Sequence, residues 1–307
     1  MHRLSALLPD SVARREDITR ATSPSSVSRW LARGDLVLVQ PGVVALAERS
    51  ADWAVRARAA TLWTGGPLSH LSALHAAGLV DAPHDPVHVT VPTQRYPRGG
   101  SQVVAHRSDR RMTTVRCGQF DVLPPERSLV DAWAWAHSPT RNPRGTAEAP
   151  LVRRAVIEGV RSGAVRHLAL RRDSDARQLH AGRSSLLTLL ALIAGGCESE
   201  LEIWGVTHVL PGPPLLPAPV QQHAIRLGDG RRVRLDAAWP ELRVAVELDG
   251  AAFHGSRTAR ERDLRRDTAL AALGWVVLRF SYARLMADPE GCRGEIETVV
   301  RARMANR

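Results

Sequence analysis

The chain has 307 residues with 44% hydrophobic and 24% charged content, an ordinary globular balance with room for two or three domains. No run approaches the roughly 18 apolar residues of a membrane span, and an N-terminus broken by Pro9 and Asp10 does not read as a secretory signal. A cytoplasmic protein without a membrane partner is therefore expected. The formal net charge is +11, and every basic residue is arginine, so no lysine is available for chemistry anywhere in the chain. The excess is uneven: residues 198–307 hold 16 Arg against 15 Asp and Glu, and residues 1–197 hold 26 against 16. A basic N-terminal portion suits phosphate backbones, and equally suits a generally basic surface.

Residues 14–21 read as a short helix, with a break at Thr22, Ser23 and Pro24. Residues 25–33 (SSVSRWLAR) read as a second helix stopped by Gly34. Two apolar runs, 36–39 and 43–46, flank Gln40, Pro41 and Gly42, a hairpin signal. Helix, turn, helix and hairpin is the order of a winged helix-turn-helix. In it the second helix would offer Ser25, Ser26, Ser28, Arg29 and Arg33 to DNA, through hydroxyls and helix N-terminal amides on phosphates and arginine on guanine edges. A helical pair and hairpin contacting only protein is the other reading. The stretch REDITRATSPSSVSRWLARGDLVLVQPGVVAL, continued by PLSHLSALHAAGL and VHVTVP, resembles the N-terminal domain of AbiEi-like type IV antitoxins. That resemblance implies promoter DNA binding, with a cognate toxin or other protein as a further partner.

Further along, residues 52–64 and 68–78 read as helices, 87–91 and 103–106 as strands, and 128–136 as a helix carrying Trp133 and Trp135. His70, His75, His88 and His106 invite a metal reading, but their spacings fit no standard ligand pattern, and core or surface histidines are expected. Residues 139–150, rich in Pro, Arg and Gly, read as a loop or linker. Residues 151–163 and 184–194 read as helices, and the intervening RRDSDARQ as a solvated surface. Cys117, Cys197 and Cys292 are odd in number and far apart, without a disulfide or zinc pattern.

The last third carries the chemistry. A helix is expected from near Glu198 to Val206, with Glu198 and Glu202 on one face. Strands follow at 220–227, 231–237 and 243–248, with a turn at Pro240 and Glu241. A hairpin tip there sets Asp236 opposite Ala245 and makes Glu247 its diagonal neighbour, at roughly 7–8 Å between Cα atoms. Asp249 falls on the same face, and Glu202 from a nearby helix could complete an oxygen-rich site for Mg²⁺ or Mn²⁺. Clustered carboxylates repel, and a cation relieves them. Residues 257–272 read as a helix laden with arginines, of which Arg262 and Arg266 are candidates for the DNA backbone. Gly274 stops it, 275–280 is a buried strand, and 295–303 a closing helix.

The motifs SELE, RVRLDAAWPELRVAVELDG, FHG and RERDLRRDTALAALGWVVLRFSYARL resemble the PD-(D/E)XK nuclease superfamily, and more closely a family related to very-short-patch-repair endonucleases. The resemblance implies Asp236, Glu247 and Glu202 as metal ligands and catalytic acids, with His254 near the scissile phosphate. Asp249 stands where the superfamily often has lysine. It could orient water or bind a second metal, and Arg266 or Arg279 could supply the positive charge.

The expected architecture is an α/β multidomain chain. It comprises a winged helix-turn-helix (1–50), an α+β middle domain (51–138), a linker and helical connector (139–197) and a restriction-endonuclease-like α/β sandwich with a central mixed sheet (198–307). The expected function is a DNA-binding endonuclease in repair or phage defence. The alternative is a non-enzymatic antitoxin-like regulator with an inactive nuclease fold.

Overall fold

The computed structural model describes the chain except residues 1–3, 5, 9, 143–144, 178, 198, 211–215, 250–256 and 307, and the side chains of 145–146 and 257–260. It divides into two compact units, Met1–Leu186 and Leu187–Arg307. Among the described residues no helix is long and apolar enough to cross a membrane.

The first unit opens with β1 (Val12–Arg14), α1 (Arg15–Ala21), α2 (Pro24–Ala32), β2 (Leu36–Gln40) and β3 (Val43–Leu46), whose strands form an antiparallel sheet in the order β1-β3-β2. Pro24 is not part of a break: it occupies the first turn of α2, where a missing N–H costs nothing. Ser23 is the cap, its hydroxyl accepting the Ser26 amide at 3.2 Å. Ile18, Val27, Leu36 and Val44 fill the small core beneath.

Next come α3 (Trp53–Thr64), α4 (His70–Ala76), β4 (Val87–Pro92) and β5 (Val103–Ser108). A hairpin follows, β6 (Val115–Cys117) with β7 (Phe120–Val122), which the sequence reading omitted. The strands β4 and β5 run parallel, with His88 opposite Val104 and Thr90 opposite His106. Val87 and Val89 face a core shared with Ala57 and Ala60 of α3, so His88, Thr90 and His106 share the opposite face. The helix α5 (Pro125–Ala136) is buried for most of its length. Residues 139–150 are not wholly a linker: α6 (Gly145–Arg161) begins inside that stretch and contains Pro150. Nor is RRDSDARQ simply solvated, because α7 (His167–Ala176) includes most of it. Asp173 there binds Arg110 (Nη1–Oδ2 3.2 Å), and Arg177 just beyond pairs with Asp131 of α5. The helix α8 (Arg183–Ala194) crosses the division between units.

The second unit comprises α9 (Glu200–His208), β8 (Val220–Arg226), β9 (Arg232–Trp239), β10 (Val244–Asp249), α10 (Arg257–Ala272), β11 (Val276–Ser281), α11 (Tyr282–Ala287) and α12 (Pro289–Ala305). Its strands form a mixed four-stranded sheet, β11-β10-β9-β8, parallel between β10 and β11 and antiparallel elsewhere. Along β10, Val244, Val246 and Leu248 enter one core with Ile296 and Val300 of α12, and Ala245 enters the other with Leu270 of α10. The closing helix is longer than expected because Asp288 caps it, its Oδ1 accepting the Gly291 amide at 2.8 Å.

Gly66 tests the packing between α3 and β4. A Cβ at this position would meet the Thr90 carbonyl oxygen well inside van der Waals contact. The obstructing atom is backbone and cannot swing aside, so Gly66→Ala is expected to cost about 1–3 kcal/mol. Urea denaturation checks it, and an unchanged midpoint would contradict the packing described.

Candidate active site

Strand register fixes the two central acids. Ala238 pairs with Ala245 and Ala237 with Val246, and just beyond this ladder the Asp236 carboxylate accepts the Leu248 amide at 2.9 Å. The expected pairing of Asp236 with Ala245 is corrected by the turn. A 3₁₀ segment, Pro240–Leu242, closed by Arg243 at φ 52°, takes up more chain than a tight tip. The register moves by two residues from the expected one, and Asp236 and Glu247 remain near enough to repel each other electrostatically. Regular alternation fails at Asp236. Leu235 shares a core with Ala238, whereas Ala237 and Trp239 enter the other. Gln222, between the pairs Gln221–Ala237 and His223–Leu235 of β8 and β9, has φ 49°, a left-handed conformation strained for a side chain of its size.

Glu247 is 4% exposed, yet two arginines reach it. Parallel pairing sets Arg279 of β11 directly beside it, with Nη2 at 3.0 Å from Oε2 and 2.7 Å from Asp267 Oδ1. Arg266 comes from α10, one turn before the buried Leu270. It pairs with Glu247 Oε1, donates from Nη1 to Oε2 at 3.3 Å and from Nη2 to the Arg234 carbonyl at 2.9 Å.

Asp236 accepts the Leu248 amide at 2.9 Å and the Gln222 amide at 3.4 Å. The same Gln222 Nε2 donates to Glu202 Oε2 at 2.8 Å, and Gln222 Oε1 accepts from Arg234 Nη2 at 2.6 Å. Ser199 caps α9, accepting the Glu202 amide at 3.2 Å and donating to Glu202 Oε1 at 2.7 Å. Gly205 lets this helix approach β10, since a Cβ there would collide with Leu248. Ser199, Gln222 and Arg234 were missed in the sequence reading. The usable signal was Ser199 three residues before Glu202, a capping pattern. A glutamine in a strand carries none.

Burial raises the Asp236 carboxyl; the Leu248 amide, the Gln222 amide and Arg266 oppose this, and Asp249 adds to it. Burial also raises Glu247, against the pull of Arg266 and Arg279 and with the repulsion of Asp236 and Asp249. Even with two guanidiniums beside it, burial leaves the net shift of Glu247 upward. Asp249, half-buried at the end of β10, pairs in register with Ser281. His254 and Glu198 lie outside the described residues. Arg266 faces Glu247 and is a quarter exposed, whereas Arg262 is exposed. In the first unit Ser25, Ser28 and Arg29 are exposed on α2, Ser26 is half-buried against Ser23, and Arg33 pairs with Asp35 at 2.7 Å. A cleft of about 730 Å³ beside the β2–β3 turn is lined by Arg14, Arg15, Arg20 and Arg95.

The donor chemistry of Asp236, Glu247 and Glu202, oxygens only, suits Mg²⁺ or Mn²⁺. Among the described residues these carboxylates do not form a closely convergent ligand group, because Gln222 stands between Glu202 and Asp236 and the arginines occupy Glu247. The group that does converge is His70, His88 and His106. Core or surface histidines were expected, and His70 and His88 are core residues, but their convergence with His106 is not visible in the linear spacing. His75 alone stands apart, its Nδ1 at 2.9 Å from the Val80 carbonyl.

Residues 228–300 match the model of REase_MTES_1575, a restriction endonuclease-like family. The match covers β9, β10, α10 and β11, the elements that carry Asp236, Glu247, Arg266 and Arg279. Two uncharacterized proteins of Mycobacterium tuberculosis, from two strains, are each 31% identical over 109 residues, covering 35% of this chain and 38% of theirs. The chain thus spans well under half the length of the curated relatives it matches. These findings support a restriction endonuclease-like domain in the C-terminal part.

The folded values of Asp236 and Glu247 lie above their unfolded ones, so folding takes up protons in that window and stability falls as pH rises through it. Asp236→Asn keeps an acceptor for the Leu248 amide and removes the charge. It is expected to raise the thermal midpoint by roughly 2–4 °C at pH 7, the effect of about 1 kcal/mol. The gain should fade below about pH 4, where the wild-type carboxyl is protonated in both states. Melts across pH check this, and a variant less stable than wild type at pH 7 would contradict it.

Proposed function

We propose that the C-terminal unit is a metal-dependent endonuclease domain of the PD-(D/E)XK type that hydrolyses DNA phosphodiester bonds, and that the N-terminal helices and hairpin act as a winged helix on DNA. The observation that carries this reading is the set of acids gathered on neighbouring elements: half-buried Asp236 on β9, buried Glu247 on β10, and Glu202 joined to Asp236 through Gln222. In this reading Asp236 and Glu247, with Glu202, hold Mg²⁺ or Mn²⁺. Such a metal would polarise a phosphoryl oxygen and lower the pKa of a bound water. Arg266 and Arg279, each a quarter exposed, supply the charge that lysine supplies elsewhere. Asp249 orients the attacking water. Arg262, and Ser25, Ser28 and Arg29 on α2, contact the backbone. The charge excess of residues 1–197 supports nucleic-acid binding, and DNA repair or phage defence is the setting we favour.

One observation favours a second reading. Both oxygens of Glu247 are already engaged by arginines, as they would be in a nuclease fold retained as an inactive scaffold beside a promoter-binding domain. A cognate toxin would be the partner of such an antitoxin-like regulator.

Cleavage of plasmid and of mismatched, nicked and branched duplexes with Mg²⁺ or Mn²⁺ separates the two. Nuclease chemistry predicts metal-dependent cutting that Asp236→Ala and Glu247→Ala each reduce by roughly a hundredfold or more. No cutting on any substrate, no calorimetric Mn²⁺ binding and DNA affinity unchanged in Asp236→Ala would establish the regulator instead.

A further inference from the structure

We propose that His70, His88 and His106 form a nitrogen-donor site for a Zn²⁺-type cation in the N-terminal unit, independent of the carboxylate site. The three come from α4, β4 and β5, and parallel pairing puts His88 and His106 diagonally on one face. One ligand atom from each lies within 4.8 Å of the others. His88 Nδ1 and His106 Nε2 are 2.8 Å apart, and the His70 ring stacks on His106 with centroids 3.6 Å apart. A tetrahedral ion with Zn–N of 2.0–2.1 Å sets its nitrogens roughly 3.3 Å apart. The donor atoms span up to 4.8 Å and the three rings lie nearly parallel, at 12–25° to one another, so closing round an ion requires the rings to turn their lone pairs towards a common point.

Two further observations bear on the cluster. His88 is fully buried, and its Nε2 has no hydrogen-bond partner among the described residues. A buried imidazole nitrogen without a partner is an atom that a bound ion would satisfy. The His70 Nδ1 lies 2.9 Å from the Ser69 hydroxyl, and in the tautomer in which Nδ1–H donates, Nε2 carries the lone pair. Such an outer hydrogen bond fixes tautomer and ring plane in metal sites. The edge of Trp135 closes the cluster, 4.8 Å from the His106 ring and 5.8 Å from that of His88 between centroids.

Donor type selects the ion. Three neutral imidazoles suit Zn²⁺, Co²⁺, Ni²⁺ or Cu²⁺ and offer nothing that Mg²⁺ prefers. Arg127, Arg141 and Arg177 act on the cluster and oppose any cation, and Asp131 pairs with Arg127 and Arg177, so the surroundings remain net positive. Only an ion held by strong nitrogen bonds would tolerate them. Three protein ligands leave a fourth position for water.

The test uses the full chain, stripped with chelator and titrated with Co²⁺, whose visible absorption reports nitrogen ligation, followed by displacement with Zn²⁺. One Co²⁺ per chain is expected, displaced by Zn²⁺ and not by excess Mg²⁺, with Zn²⁺ raising the thermal midpoint. His106→Gln should weaken Zn²⁺ binding at least a hundredfold, Ser69→Ala by roughly 10–100-fold, and Asp236→Asn not at all. Native mass spectrometry of the wild-type chain keeps the test independent of how the variants fold. Wild type without a stoichiometric Zn²⁺ or Co²⁺ ion, or His106→Gln retaining it, would overturn the proposal.

Discussion

Placing a carboxylate inside a buried strand costs several kcal/mol unless positive charge meets it there. Glu247 sits in the middle of a four-stranded sheet, and its counter-charges are delivered by backbone geometry. Parallel pairing of β10 with β11 puts Arg279 beside it, and Ala269, Leu270 and Leu273 seat α10 so that Arg266 points at it from one turn earlier. At an effective dielectric near 20, each contact is worth about 4 kcal/mol before desolvation. The apolar packing of α10 and the electrostatics of Glu247 are therefore one constraint. If the helix shifts, a buried carboxylate loses half its partners.

Much of this was legible in the sequence because period and composition carry it. The strands 220–227, 231–237 and 243–248 alternate or run apolar between Gly and Pro turns, and the helix over 257–272 ends at Gly274. The structure has these elements with shifts of a residue or two at their ends. The failures have local physical causes. The turn at Pro240 winds into a 3₁₀ segment, which no residue count between strands reveals, so the register came out wrong by an even step. The start of α6 hides because Pro150 lies inside the helix, at a place where a proline ordinarily signals a break. Gln222 joins Glu202 to Asp236 through a left-handed backbone inside a strand, a placement that only tertiary packing can impose. The histidines of the first unit escaped for another reason: each sits on a different element, so linear spacing says nothing of their convergence.

The two units bury titratable groups by opposite means. In the second, the acids keep charged or hydrogen-bonding partners, and burial, with lesser repulsion among Asp236, Glu247 and Asp249, still raises Asp236 and Glu247. In the first, three imidazoles lose their charge instead: burial pushes His88 down to about 3, and burial with the repulsion of neighbouring groups pushes His70 and His106 well below the usual range. Neutral imidazoles expose lone pairs, and desolvated carboxylates expose charge. A soft or borderline ion prefers the first and a hard ion the second. The fold thus separates two donor chemistries that would compete for metal if they shared a pocket.

Arginine in place of lysine also limits what the carboxylate site can do. A lysine beside a scissile phosphate can lend charge and, when its pKa is lowered, a proton. Arginine stays protonated throughout the accessible pH range and lends only charge and directed N–H groups. In the nuclease reading, Arg266 and Arg279 can stabilise developing negative charge, but the departing alkoxide must take its proton from elsewhere. Asp236 and Glu247 are both raised, and both are needed as anions once a metal is bound. Water and His254, which the family resemblance sets near the scissile phosphate, are left as proton sources, and the guanidiniums act through charge alone.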